Sequence, residues 1–325
     1  MKRTQILRLQ IDNMSINNQQ IKPEYQQMVL KVQHYINQHL ADDVSLETLA
    51  DVANYSQFHF QKIFSEAVSE SPKQYVIRLR LEKAAHFIKI FPQLLINEIA
   101  VSCGFSSNSI FSRAFKNYFG VSAETYRGLS SDKLHELSKS KNQLSQWTDA
   151  SWITPITDIQ QKADTVKLTS SPVVNTIYSF HLACIQTTLS HPENISFAFQ
   201  SLLQWAGPRG LITPSTRYFG VWLDFPFITP PDKCRYLCGL EINDDIKSTK
   251  GINIQTVSKA QYLHYEMKGN INETLDAMIA LNHNYVDAMG YIVSEMICYE
   301  QFDESPTDKP YEEITRRLLF PVKMK

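Results

Sequence analysis

Four side chains that can donate hydrogen bonds, Ser109, Ser112, Arg113 and Lys116, recur at helical spacing in the stretch FSSNSIFSRAFKNYFGVSAETYR, residues 105–127. Two of them carry positive charge, and no acidic residue interrupts the stripe. Phe111, Phe115 and Tyr118 fall on the other side of the same helix, where an apolar stripe faces a core. Arg and Lys can donate to guanine in the major groove of DNA, Asn and Gln can pair with adenine, and Ser can donate to either base or phosphate. The chemistry on offer is therefore groove reading, provided that another part of the chain positions the helix.

A second copy of the pattern lies upstream. Leu46, Leu49, Ala50 and Ser56 match Ile96, Ile99, Ala100 and Ser106 at an offset of fifty. After one inserted residue, Phe60, Phe64, Ser71 and Tyr75 match Phe111, Phe115, Ser122 and Tyr126 at fifty-one. Internal repeats decide the architecture of a region before any local reading does. Each copy predicts a helix ended by Asn54 or Gly104, residues that accept left-handed backbone. A second helix then opens after Ser56 or Ser106–Ser107. The short connection is that of a helix–turn–helix unit. Gln61, Lys62 and Ser65 occupy the outward positions that Ser112, Arg113 and Lys116 take in the second copy. Between the copies, PKQYVIRLRLEKAAHFIKI predicts a long helix stopped by Pro92. Its roughly 17 residues at ~1.5 Å each span about 25 Å, compatible with successive major grooves ~34 Å apart.

The chain has 325 residues, a formal net charge of −1, 43% hydrophobic and 20% charged residues, the composition of a globular protein of about two domains. Residues 24–130 hold ten Lys/Arg and ten Asp/Glu, whereas residues 171–325 hold thirteen and seventeen. Phosphate binding thus falls to the N-terminal half, if its charges segregate by face. The sequence contains neither an apolar run of membrane-spanning length nor a secretory leader. Together with five scattered cysteines, this predicts a cytoplasmic protein. Cys234 and Cys238 lack a second pair of zinc ligands and are expected to pack in or beside a strand. With no Gly-rich phosphate loop and no His-Glu-x-x-His motif, no catalytic residue, metal or cofactor is expected.

These residues carry a family resemblance. Residues 26–129 resemble the two-subdomain DNA-binding unit of the AraC/XylS family of bacterial transcription regulators, most specifically in AVSCGFSSNSIFSRAFKNYFGVSAETYR. The resemblance implies groove contacts from Phe58, Gln61 and Lys62 in the first reading helix and from Asn108, Ser109, Ser112, Arg113 and Lys116 in the second. It also implies phosphate contacts from Arg78 and Arg80, with promoter DNA and RNA polymerase as partners. Gln57 stands where the family often has Pro, and Ser65 and Glu66 where it often has basic residues, so the first subdomain is expected to add less electrostatic affinity.

Residues 131–171 are rich in Ser, Lys, Gln and Asp and predict a linker with a short helix; residues 1–23 form a tail. From residue 172 onward, strand-like and helix-like segments alternate twice in the same order. This predicts an α+β domain with a pseudo-twofold strand–helix–strand–strand repeat after the all-α tandem helix–turn–helix domain of residues 24–130. The region 172–325 resembles the GyrI-like effector-binding domain, also found in bacterial multidrug sensors, through FGVWLDFPFITPPDKCRYLCGLEI and ICYEQFDESPTDKPYEEITRRLLFPV. By that resemblance Glu300 faces an aromatic or cationic small-molecule effector, with Trp222 and Tyr262 as stacking walls. Arg317 departs from the pattern and either neutralises Glu300 or favours an anionic ligand. Two other readings of this half remain open: a protein-interaction module without a ligand, and a hydrolase using Glu300.

Overall fold

The computed structural model describes residues 22–129 except 92, and residues 163–325 except 227, 243–245, 247, 250 and 296. The expected tail up to residue 21 and the expected linker helix before residue 163 lie outside the described residues.

Among the described residues, the N-terminal unit contains seven helices: α1 (Pro23–Gln38), α2 (Leu46–Ala53), α3 (Gln57–Val68), α4 (Pro72–Ile90), α5 (Ile96–Ser102), α6 (Asn108–Phe119) and α7 (Ala123–Gly128). The sequence repeat is carried into packing. Ser71 and Ser122 accept from the backbone N–H groups of Gln74 and Thr125, capping α4 and α7 at equivalent points. Tyr75 then packs edge-on against Phe64 with ring centroids 5.4 Å apart, and Tyr126 against Phe115 at 5.3 Å. Each subdomain has its own core, one around Phe60 and Phe64 and the other around Phe111 and Phe115. The helix α4 runs through both. Its 19 residues make it about 28 Å long at ~1.5 Å per residue. The predicted turn residues hold: Asn54 has φ 59° and Gly104 φ 83°. Gly104 is further constrained, since a Cβ there would lie 2.9 Å from the carbonyl oxygens of Leu40 and Ala41.

Among the described residues, the C-terminal unit is a nine-stranded antiparallel sheet with helices α8 (Glu193–Ala206) and α9 (Ile271–Ala280) on one face. The strands are β1 (Val173–Ile177), β2 (Phe180–Thr188), β3 (Tyr218–Trp222), β4 (Arg235–Ile242), β5 (Asn253–Val257), β6 (Ala260–Met267), β7 (Tyr291–Val293), β8 (Cys298–Phe302) and β9 (Arg316–Met324). Their order, β1-β6-β9-β8-β3-β4-β2-β5 with β7 beside β9, reads the same from either end once the halves are interchanged. In each half an extra strand precedes the predicted unit and pairs with the other half: β1 with β6, and β5 with β2. The chain breaks at Tyr178–Ser179 and again at Ser258–Lys259 to make these exchanges.

Because side chains alternate across a strand, register assigns every residue to a face. Trp222, Tyr236, Glu300 and Leu318 share the helix-covered face. Val221, Arg235, Tyr262 and Tyr299 share the opposite face, against which α1 and α4 are packed. All five cysteines are free and buried, with Cys238 on β4 and Cys234 just before it.

Candidate DNA interface and ligand site

Local sequence fixes helices α3 and α6. Ser56 accepts from the His59 N–H at 3.4 Å to start α3, and Ser107 from the Ile110 N–H at 3.3 Å to start α6. Phe60, Ile63 and Phe64 bury one face of α3, and Phe111, Phe115 and Phe119 bury one face of α6. The other faces are open. Gln61 and Lys62 are exposed, as are Asn108, Ser109, Ser112, Arg113 and Lys116, all with the C-terminal unit in place. Phe58 is 83% exposed, a large apolar ring in water at the start of a helix. Lys62, Arg113 and Lys116 form no ion pair with another described residue, so their charges are not spent inside the protein.

Arg78 requires a correction, and Arg80 is partly committed. Arg78 is buried, with its guanidinium 2.9 Å from Glu70 and 3.1 Å from Glu82. Arg80 donates to the Leu40 carbonyl at 2.9 Å and the Asp42 carbonyl at 2.6 Å, closing the chain after α1. Arg78 is a structural tie with no free charge for a phosphate, whereas Arg80 is half-buried and held by two backbone carbonyls that leave its charge uncancelled. Helical periodicity places them on α4, but it does not reveal that α4 is enclosed.

Arg78 belongs to a polar network across the two units. Glu82 accepts from Tyr118 on α6 at 2.7 Å, from Thr229 of the C-terminal unit at 3.0 Å and from Arg78. Burial pushes its carboxyl above the usual range, against the pull of Arg78. Burial also raises Glu70, but Arg78 and the Lys233 ammonium at 3.0 Å outweigh it and leave that carboxyl below its ordinary value. Arg235 donates to both oxygens of Asp224, at 2.6 and 2.7 Å, and also to Tyr75 at 2.7 Å and Asn37 at 3.0 Å. His86 packs against Phe225 with the rings tilted and their centroids 4.7 Å apart; burial lowers its pKa to about 3. Ile228 inserts into the second helical core. A buried ion pair gains only if its remaining hydrogen-bonding capacity is met. Arg235 and Asp224 satisfy this by using groups from both units.

Glu300 lies at the centre of the sheet, fully buried on the helix-covered face. Trp222 Nε1 donates to it at 2.8 Å and Tyr236 Oη at 2.7 Å, and Tyr311 also donates a short bond. The Arg316 guanidinium is 3.2 Å away and sits 4.0 Å over the Tyr311 ring. Burial beside this carboxylate holds the Tyr236 and Tyr311 hydroxyls far above their ordinary pKa. Gly220 makes the cage possible, because a Cβ there would collide with the Tyr236 hydroxyl.

Three expectations change here. Trp222 does meet Glu300, but as a hydrogen-bond donor. Tyr262 lies on the other face, opposite Pro321 in the β6–β9 pairing, and cannot stack on a ligand held by Glu300. The neutralising cation is Arg316; Arg317 points away and pairs with Asp303 and Glu266. Glu300 therefore has no unmet charge with which to attract a cation. Arg316, Tyr236 and Tyr311 escaped the sequence reading, although strand parity separates Arg316 from Arg317 once β8 and β9 are paired.

The family models agree with this division. Residues 49–128 match a helix-turn-helix domain, and residues 171–323 match a GyrI-like small molecule binding domain. A probable transcriptional regulator, LumQ, from Photobacterium leiognathi is 39% identical over 106 residues, 33% of this chain and 42% of that protein. The Msm operon regulatory protein of Streptococcus mutans is 33% identical over 99 residues, 30% of this chain and 35% of that protein. Among solved structures, the C-terminal domain of AraT, a response regulator from Geobacillus stearothermophilus, is 32% identical; the match covers 31% of this chain and 83% of that one, with a TM-score of 0.30. The match thus spans less than half the length of these two curated relatives. The chain combines an AraC-type helix-turn-helix domain with a C-terminal GyrI-like domain. Among the described residues, no helix is long and apolar enough to cross a membrane.

Proposed function

We propose that this protein is a sequence-specific DNA-binding transcription regulator whose C-terminal domain senses a small molecule. The observation that carries the reading is the pair of equivalent helices, α3 and α6, each presenting exposed polar and cationic side chains over a buried aromatic face. Promoter DNA is the partner these stripes fit: amide, hydroxyl and guanidinium groups can read base edges, while Lys116 can meet a phosphate. Two curated relatives of the helical region carry regulator names, and the fusion to a GyrI-like domain supports ligand control.

A hydrolytic role for Glu300 lacks support. Its carboxylate is wholly enclosed, hydrogen-bonded by Trp222, Tyr236 and Tyr311 and ion-paired with Arg316, away from any water or substrate at the surface. The reading is tested by selecting duplexes from a random-sequence pool with the full chain and measuring their affinity. Arg113→Ala should weaken the selected duplex by about 1–3 kcal/mol and relax its base preference. Selection that enriches no sequence would overturn the reading.

A further inference from the structure

The sheet face opposite Glu300 leaves a cleft of about 570 Å³ against the DNA-binding unit. Its two walls differ in kind. Leu182, Val221, Val257, Tyr262 and Tyr299 present aliphatic and aromatic surface from five strands, with the two tyrosine rings edge to face at 5.9 Å. The facing wall is polar and comes from α1 and α4, through His34, Gln38, Glu82 and Lys83. A concave site of a few hundred Å³ with one apolar wall and a few convergent polar groups is the form small-molecule sites take.

The charges of the lining can be paired off. Arg235 is committed to Asp224, and Glu82 to Arg78. Lys259 and Glu295 are both exposed and oppose one another in sign. That leaves Lys83, half-buried on α4, with its ammonium 5.7 Å from the Phe87 ring and no ion pair to another described residue. The uncompensated charge facing the cleft is positive.

We propose that this cleft is the effector site, that its ligand is an amphipathic aromatic anion lying on the Tyr262–Tyr299 wall with its charge toward Lys83, and that it acts on α6 through Glu82. The inference rests on the proposed regulator function and gives its sensing step a place and a ligand class. Glu82 lines the cleft beside Lys83 and receives both Tyr118 of the reading helix and Thr229 of the C-terminal unit. A ligand that touches both units binds the docked arrangement more tightly than any undocked one, and so shifts the equilibrium between them.

The test uses the full chain and the aromatic sulfonate 8-anilinonaphthalene-1-sulfonate, followed by its fluorescence. One saturable site is expected, weakened at least tenfold in Lys83→Glu and in Val221→Phe, which fills the cleft. Val221→Phe could disturb the sheet. Lys83→Glu, on the rim of a helix, keeps the test decisive when circular dichroism shows an unchanged fold. Tetraphenylphosphonium, an aromatic cation, should not displace the dye. Saturating dye should also change affinity for the selected duplex at least threefold. Unchanged dye affinity in Lys83→Glu would overturn the site, displacement by the cation would overturn the ligand class, and an unaltered duplex affinity would overturn the coupling. Failure of the wild type to bind any selected duplex would instead fall on the regulator reading, while the dye titration still judges the cleft.

Discussion

Tyr118 and Thr229 donate to opposite oxygens of one buried carboxylate, Tyr118 to Glu82 Oε1 at 2.7 Å and Thr229 to Oε2 at 3.0 Å. The first residue lies on α6, whose far face carries the exposed Ser112, Arg113 and Lys116, and the second lies in the C-terminal GyrI-like unit. A displacement of the C-terminal unit therefore reaches α6 through a single intervening side chain. Removing either donor leaves a buried carboxylate oxygen short of a partner, at a cost of about 1–3 kcal/mol. Tyr118→Phe and Thr229→Val should each lower stability in urea unfolding by that amount. Because they share an acceptor, the double variant should depart from additivity by about 0.5 kcal/mol or more. Strict additivity would show that the carboxylate does not connect them.

Arg235 and Asp224 form the main buried ion pair of the junction. Arg235→Met strands a carboxylate in the interior and should cost about 3–5 kcal/mol. Replacing both partners, Arg235→Met with Asp224→Leu, should recover most of that loss, because two desolvated charges disappear together. Unfolding curves for the three proteins check this. A double variant no better than the single one would mean that Tyr75 and Asn37 depend on the guanidinium more than the pair depends on itself.

The junction should also weaken in acid. His86 stays neutral down to about pH 3 because it is buried against Phe225, whereas a solvated histidine takes up its proton near 6.5. The undocked or unfolded chain binds the proton first, so stability falls as pH drops below 6.5, by about 1.4 kcal/mol per unit until the folded pKa is reached. Between pH 6.5 and 5 the loss is roughly 2 kcal/mol. His86→Phe should remove this part of the pH dependence, and thermal unfolding at pH 7.5 and 5.0 measures it.

Salt dependence separates phosphate contacts from structural arginines. Each phosphate neutralised contributes a slope of about −0.9 in log affinity against log salt. Lys116→Ala should reduce the slope for the selected duplex by about one, whereas Arg78→Met, whose guanidinium is buried between Glu70 and Glu82, should leave it unchanged.

Much of the helical half was legible in the sequence, and the reason is local. A 3.6-residue period, serine caps and two left-handed turn residues act within a few positions of one another, so α2, α3, α5 and α6 could be placed from the chain alone. The fate of α4 could not. Arg78 looks like any surface arginine until Glu70, Glu82 and the second domain close over it. In the sheet, alternation marked the strands but not their partners. The exchange of β1 and β5 between halves is a non-local choice, and so is the β6–β9 register, which decides which face Tyr262 occupies. For the same reason Glu300 and Trp222 could be brought together by motif, while Arg316, Tyr236 and the cleft on the far face emerged only with the register.

Base-by-base substitution of the selected duplex, compared for wild type, Lys62→Ala and Arg113→Ala, tests the account at its centre. Two equivalent helices on one rigid spine should read separate segments about one helical turn, ~34 Å, apart. Each variant is expected to relax base preference within one segment only. Relaxation of the same positions by both variants, or of none by either, would contradict it.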